Sequence, residues 1–133
     1  MRERTDVTDR SALLFLMLLY AAASLLHFTH NAVYLREYPN LPDWLTATGV
    51  VAAWCATAVV GVVGYWLYSC HSRRAGLLTV GIYAAFGFAG LDHYVVAPIA
   101  AHSVMMNLTI VFEVACAAAL LAFVVYSWRW RAG

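Results

Sequence analysis

Four of the five histidines of this chain fall in three short stretches that also carry its intramembrane-type carboxylates and amides. One stretch reads Leu26-His27-Phe28-Thr29-His30-Asn31, a second Asp92-His93-Tyr94, and a third runs from His102 through Asn107 to Glu113. Imidazole and carboxylate are ligands of zinc, iron and copper, and His27-x-x-His30 sets two imidazoles one helical turn apart. His27, His30, His93 and His102 are therefore the candidate ligands of a transition metal. A bis-His haem site would take one of these from the first stretch and another from the second or third. Quinone chemistry uses the same residue types in other roles. Asp92, His93 and Glu113 would then take and give protons as the catalytic groups, while His27, Asn31, Asn107 and Tyr94 hold the cofactor, with Tyr20 and Tyr83 lining the pocket. A third reading gives the cluster no ligand and uses it to lock helix pairing by hydrogen bonds.

Helical spacing brings these groups onto stripes. Ser24, His27 and Asn31 share one face through steps of three and four, and His30 stands about 60° from His27. His102, Met106, Thr109 and Glu113 form another stripe, because eleven residues return a helix nearly to the same angle. Counting about 1.5 Å per residue puts His27 roughly 10 Å, and Glu113 roughly 17 Å, below the outer end of its helix. A charged side chain at such depth costs about 2.5–3.5 kcal/mol or more, so Glu113 must face inward to a partner or hold a proton. In the redox reading a His–Asp pair exchanges protons at the outer side and Glu113 leads them inward.

The elements that must position these groups are membrane helices. The chain has 133 residues, 64% hydrophobic and 11% charged, where a soluble domain carries about 25% charged residues. Mean hydropathy is +0.74. Apolar stretches run over 12–34, 44–68, 75–97 and 104–128, each longer than the roughly 20 residues needed to cross hydrocarbon. Unpaired backbone polar groups are intolerable in lipid, so the spans are helices. The connections are short, with Pro39 and Pro42 in the first, Ser69–Arg74 as the second and Pro98 opening the third. Short loops make neighbours antiparallel, which predicts an all-α, up-down four-helix transmembrane bundle forming a single domain over 1–133.

All eight basic residues are Arg; Arg2, Arg4, Arg10, Arg73, Arg74, Arg129 and Arg131 fall on one side and Arg36 alone on the other. That bias places both termini in the cytoplasm and the protein in the inner (cytoplasmic) membrane, with the histidines toward the outer face. Trp44 at one boundary, and Trp128 and Trp130 at the other, suit interfacial anchoring. The run after Arg10 continues past Ala21-Ala22-Ala23-Ser24 and reads as an uncleaved first span rather than a signal peptide. A net charge of +1 gives no surface for nucleic acid. Cys55 and Cys116 lie in apolar runs and read as small buried hydrophobes, and no CxxC pair is present. Gly61, Gly64, Gly81, Gly87 and Gly90 would let helices approach closely, and His71 beside Arg73 and Arg74 reads as a solvated loop residue. Small helices and minute loops leave room for membrane partner subunits or a homo-oligomer.

The order of parts resembles the DoxX-like group of small four-helix bacterial membrane proteins. The resemblance rests on Leu26-His27-Phe28 closing span one, on Tyr34-Leu35-Arg36-Glu37-Tyr38-Pro39-Asn40-Leu41-Pro42 as the outer connection, and on Ser72-Arg73-Arg74-Ala75-Gly76-Leu77 opening span three. A Glu usual in the second span of that group has Trp54-Cys55 in its place here. By analogy the resemblance implies membrane redox chemistry, including quinone-linked oxidoreductases or their subunits.

Overall fold

In a computed structural model the chain forms five α-helices and no strand among the described residues. The structure describes residues 2–131, with side chains from 9 to 129; the side chains of Arg2, Arg4, Trp130 and Arg131, counted above for charge or anchoring, lie outside them. The helices are α1 (Arg2–Val33), α2 (Ala47–Cys70), α3 (Arg73–Phe86), α4 (Asp92–Val96) and α5 (Val104–Arg131). Four segments are long and apolar enough to cross a membrane: Asp9–Val33, Ala47–Cys70, Arg73–Val96 and Val104–Arg129. At about 1.5 Å per residue each exceeds the roughly 30 Å of hydrocarbon. The protein is a multi-pass, all-α bundle whose exposed surface of Val59, Val62, Leu18, Leu108 and similar residues suits a lipid bilayer.

Around the bundle α1 lies between α2 and α5, and α3 closes the ring on the other side. The inner seam is built from Leu13, Met17 and Tyr20 of α1, Leu77, Val80 and Tyr83 of α3, and Cys116, Leu120 and Val124 of α5. α2 is the most peripheral helix and buries only Val50, Gly61, Gly64 and Tyr68. That stripe recurs every three to four residues and leaves position 55 off it, so Cys55 is exposed rather than buried; Cys116 alone of the three cysteines is buried. Helix starts are specified locally. Thr46 accepts from the Gly49 amide at 3.1 Å and Ser72 from the Ala75 amide at 3.3 Å, which caps α2 and α3. The cap at Thr46 explains why α2 begins at Ala47 rather than at Trp44, which stands exposed in the preceding turn.

Close approach of α2 and α3 depends on a glycine. A Cβ at Gly76 would lie 2.2 Å from the Tyr68 backbone nitrogen, so no larger residue fits without moving a helix. Gly81, expected to be such a contact, has only an ordinary 3.5 Å neighbour in Val124.

The third span is not one continuous helix. Between α3 and α4 the chain tightens to a 3₁₀ stretch over Gly87–Leu91. A Cβ at Gly87 would lie 2.5 Å from the Ala117 Cβ and 2.7 Å from the Tyr20 ring, so the backbone presses directly on α1 and α5 there. The tighter turn has three residues rather than 3.6, and the buried positions become Gly87, Gly90 and His93. Five residues of it advance the chain by about 100° more than an α-helix would. The break therefore decides which residue of α4 faces inward.

Candidate functional site

His27 of α1 and Glu113 of α5 meet inside the end of the bundle opposite Arg10, Arg73 and Arg129. His27 is 2% and Glu113 1% exposed, and His27 Nε2 stands 3.8 Å from Glu113 Oε2. The other ring nitrogen of His27 shares a 3.3 Å hydrogen bond with Thr109, whose hydroxyl also donates to the Met106 carbonyl at 3.0 Å. Glu113 Oε2 has no hydrogen-bond partner among the described residues. Gly90 of the 3₁₀ stretch abuts it, since a Cβ there would come within 3.4 Å of the same oxygen. A carboxylate in hydrocarbon is costly, so an unbonded, fully enclosed one is what a site that exchanges protons or holds a ligand would retain.

His93 packs edge-on to His27, with ring centres 5.4 Å apart, and its Nε2 is 3.4 Å from the Asn31 amide nitrogen. His102 lies a further 6.1 Å from His93, edge to face. Its Nδ1 shares a 3.1 Å hydrogen bond with the Pro98 carbonyl, and its Nε2, like Asn31 Oδ1, is buried without a hydrogen-bond partner among the described residues.

Tyr38, which reads in sequence as part of a Pro-flanked connection, is central to this group. It is 4% exposed, its ring lies 4.9 Å from that of His93 and 6.4 Å from that of His102, and its hydroxyl shares a 2.9 Å hydrogen bond with His30 Nδ1. Thr109 faces the same hydroxyl, and burial pushes the phenol up to about 12. The loop is held in this position by Asn40, whose positive φ of 57° turns the chain and whose amide donates to the Val96 carbonyl at 3.0 Å. The only sequence signal for Tyr38 is an aromatic residue within reach of three histidines, visible once the loop is folded back.

Not every expected residue joins. Asp92 is exposed and carries no hydrogen bond or ion pair among the described residues, because it neighbours the inward-facing His93 about 100° round the same turn. The carboxylate facing an imidazole is Glu113, and the pair expected from Asp92 is His27–Glu113 instead. Asn107 is fully engaged: it accepts from the Tyr94 hydroxyl at 2.9 Å and donates to the Ile99 and His102 carbonyls at 3.2 and 3.3 Å. With Tyr94 it clasps α4 to the start of α5. His27 and His30 diverge, one toward Glu113 and the other toward Tyr38. Among the described residues no three His, Cys, Asp or Glu side chains converge as a metal-binding group.

The other end of the molecule has a different chemistry. Arg73 pairs with Asp9 at 3.0 Å and lies over the Tyr68 ring at 5.2 Å, joining α1, α2 and α3. His71 is exposed and stacks with Trp66. An apolar groove of about 380 Å³ runs between α3 and α5 past Leu77, Gly81 and Val124 to Trp128 and Arg129, far from the histidines. Comparison of the chain with family models, with curated proteins and with solved structures finds no match.

Proposed function

We propose that this protein is a small bacterial membrane component of redox chemistry, an oxidoreductase or one of its subunits. It would exchange protons with a quinone at the histidine end of the bundle. The observation that carries the reading is the enclosed His27–Glu113 pair, 3.8 Å apart, with a carboxylate oxygen that no described residue bonds. Quinone and quinol interconvert by gain and loss of two electrons and two protons. A lipid-soluble substrate needs its protons handled inside the membrane, where water does not reach, and imidazole–carboxylate pairs do this. Electrons would pass to a partner subunit. His93, Tyr38 and Asn31 surround the pair and would orient the quinone head.

The resemblance to DoxX-like proteins supports the same class of chemistry. The arginine distribution supports an inner-membrane protein with both termini in the cytoplasm and the histidines toward the outer face. A metal or haem reading retains one supporting observation, the run of three imidazoles from His27 through His93 to His102 at 5.4 and 6.1 Å.

The test is extraction of bound quinone from the detergent-purified protein, with elemental analysis and an absorption spectrum on the same sample. Quinone that co-purifies with wild type and is lost in Glu113→Gln supports the proposal. Stoichiometric zinc, iron or copper, or a Soret band lost in His27→Ala, replaces it with the metal or haem reading. A protein that binds neither, and whose His27→Ala variant merely melts lower, overturns both in favour of a structural role.

A further inference from the structure

Glu113 lies at the junction of two unlike halves of the bundle, and the groups around it differ by direction. Toward the histidine end it faces His27; His27 bonds Thr109 at 3.3 Å; Thr109 faces the Tyr38 hydroxyl; and Tyr38 bonds His30 at 2.9 Å. His30 is half-exposed near the end of α1, beside Tyr34. Each of these side chains can both accept and donate a proton or a hydrogen bond, Thr109 once its hydroxyl turns from the Met106 carbonyl. Two steps are not hydrogen-bonded, the 3.8 Å between His27 and Glu113 and the approach of Thr109 to Tyr38, and a side-chain adjustment would close each.

Toward the arginine end the described residues form no such series next to Glu113. Tyr20 and Tyr83 lie within electrostatic reach of Glu113, and so does Cys116. Beyond them the seam is Met17, Leu13, Val80, Leu77, Leu120 and Val124, all buried, with Tyr68 of α2 at its arginine end. The next buried polar group on α5 is Ser127, fourteen residues and about 21 Å further along. An apolar seam packed to that degree excludes water.

We infer that Glu113 trades its proton with the histidine end alone, along His27, Thr109, Tyr38 and His30, and that the Tyr38 hydroxyl is the link the first connection supplies. The inference rests on the proposed proton-exchange role of the pair and gives it a direction. Protons released at the site leave on the side of the membrane that His30 faces. The groups facing Glu113 are His27 and Tyr20 on α1, Tyr83 on α3 and Cys116 on α5, with His93 of α4 behind His27. Of these only His27 continues toward a surface. Tyr38 is a positioning and relay residue, since it does not touch Glu113.

The experiment needs no quinone. The full chain is reconstituted in phospholipid bilayers and moved from H₂O into D₂O, and the carboxyl band of Glu113 is followed by infrared difference spectroscopy. The band is identified by its loss in Glu113→Gln. Tyr38→Phe, which keeps the ring among the imidazoles and removes the hydroxyl, should slow deuterium uptake at Glu113 by about tenfold or more. Cys116→Ala, on the opposite side, should leave the rate unchanged. Melting temperatures of both variants near wild type show that the fold is retained. Uptake as fast in Tyr38→Phe as in wild type overturns the inference, as does an equal slowing in Cys116→Ala or the absence of an exchanging Glu113 band. Failure of quinone extraction with normal exchange behaviour would remove the quinone and leave the path standing.

Discussion

The arginine half of the bundle and the histidine half solve the same packing problem in opposite ways. In the arginine half, α1, α3 and α5 meet through Leu13, Leu77, Val80, Leu120 and Val124, and α2 closes on α3 at Gly76. In the histidine half, α1 and α5 meet through His27, Thr109 and Glu113 with His93 of α4 beside them, and three buried polar atoms have no hydrogen-bond partner among the described residues, Asn31 Oδ1, His102 Nε2 and Glu113 Oε2, against the Ser69 and Ser127 hydroxyls of the arginine half. Buried polar atoms without partners cost about 1–3 kcal/mol each and more for a charged group, and Glu113 stands in the seam itself, where an apolar side chain would add stability. Such a concession is expected where a site has work to do and not where helices merely pair.

The largest predicted effect lies in the arginine half. Gly76→Leu should prevent folding outright, because even a Cβ collides with the Tyr68 backbone; expression and gel-filtration of the detergent-solubilised protein would show it. Leu120→Ala, at a fully buried position, should lower unfolding free energy by about 2–5 kcal/mol in a denaturation series. In the histidine half the prediction reverses. Glu113→Gln should leave melting within the range of an ordinary surface substitution, about 0.5 kcal/mol, while removing ligand exchange. Asp9→Asn, which unpairs a partly exposed ion pair with Arg73, should cost no more than about 1 kcal/mol. The smallest effect concerns alkaline pH. Tyr38 ionises at 10.0 in the unfolded chain and at about 12 when buried, so its contribution is intact below pH 10 and is lost between pH 10 and 12. Wild type should lose melting temperature across that window more steeply than Tyr38→Phe.

The two halves were also unequally legible in the sequence. Four spans, their antiparallel order and the inward-facing stripe of Met106, Thr109 and Glu113 follow from hydropathy and the helical period, because nothing breaks that period in α1 or α5. The choice between Asp92 and His93 does not follow. A continuous α-helix from Gly87 would bring Leu91 and Tyr94 inward, and only the 3₁₀ stretch over Gly87–Leu91 brings His93 in and turns Asp92 out. That stretch begins where Gly87 packs directly against Tyr20 and Ala117, a tertiary contact. Tyr38 was hidden for a similar reason. Its place in the cluster depends on Asn40 holding the loop to Val96, 56 residues away, and no local pattern encodes that bond. Cys55 illustrates the converse: an apolar run signals membrane, and in a peripheral helix most of that run faces lipid.

The central claim is that the histidine half is built for exchange with a ligand and not for holding helices together. The most direct measurement is melting temperature and bound quinone on one and the same preparation of wild type and Glu113→Gln. Expected are quinone in wild type, none in the variant, and two melting curves that superimpose once the quinone of the wild type has been stripped. A variant that melts well below stripped wild type, with no quinone in either protein, would contradict it.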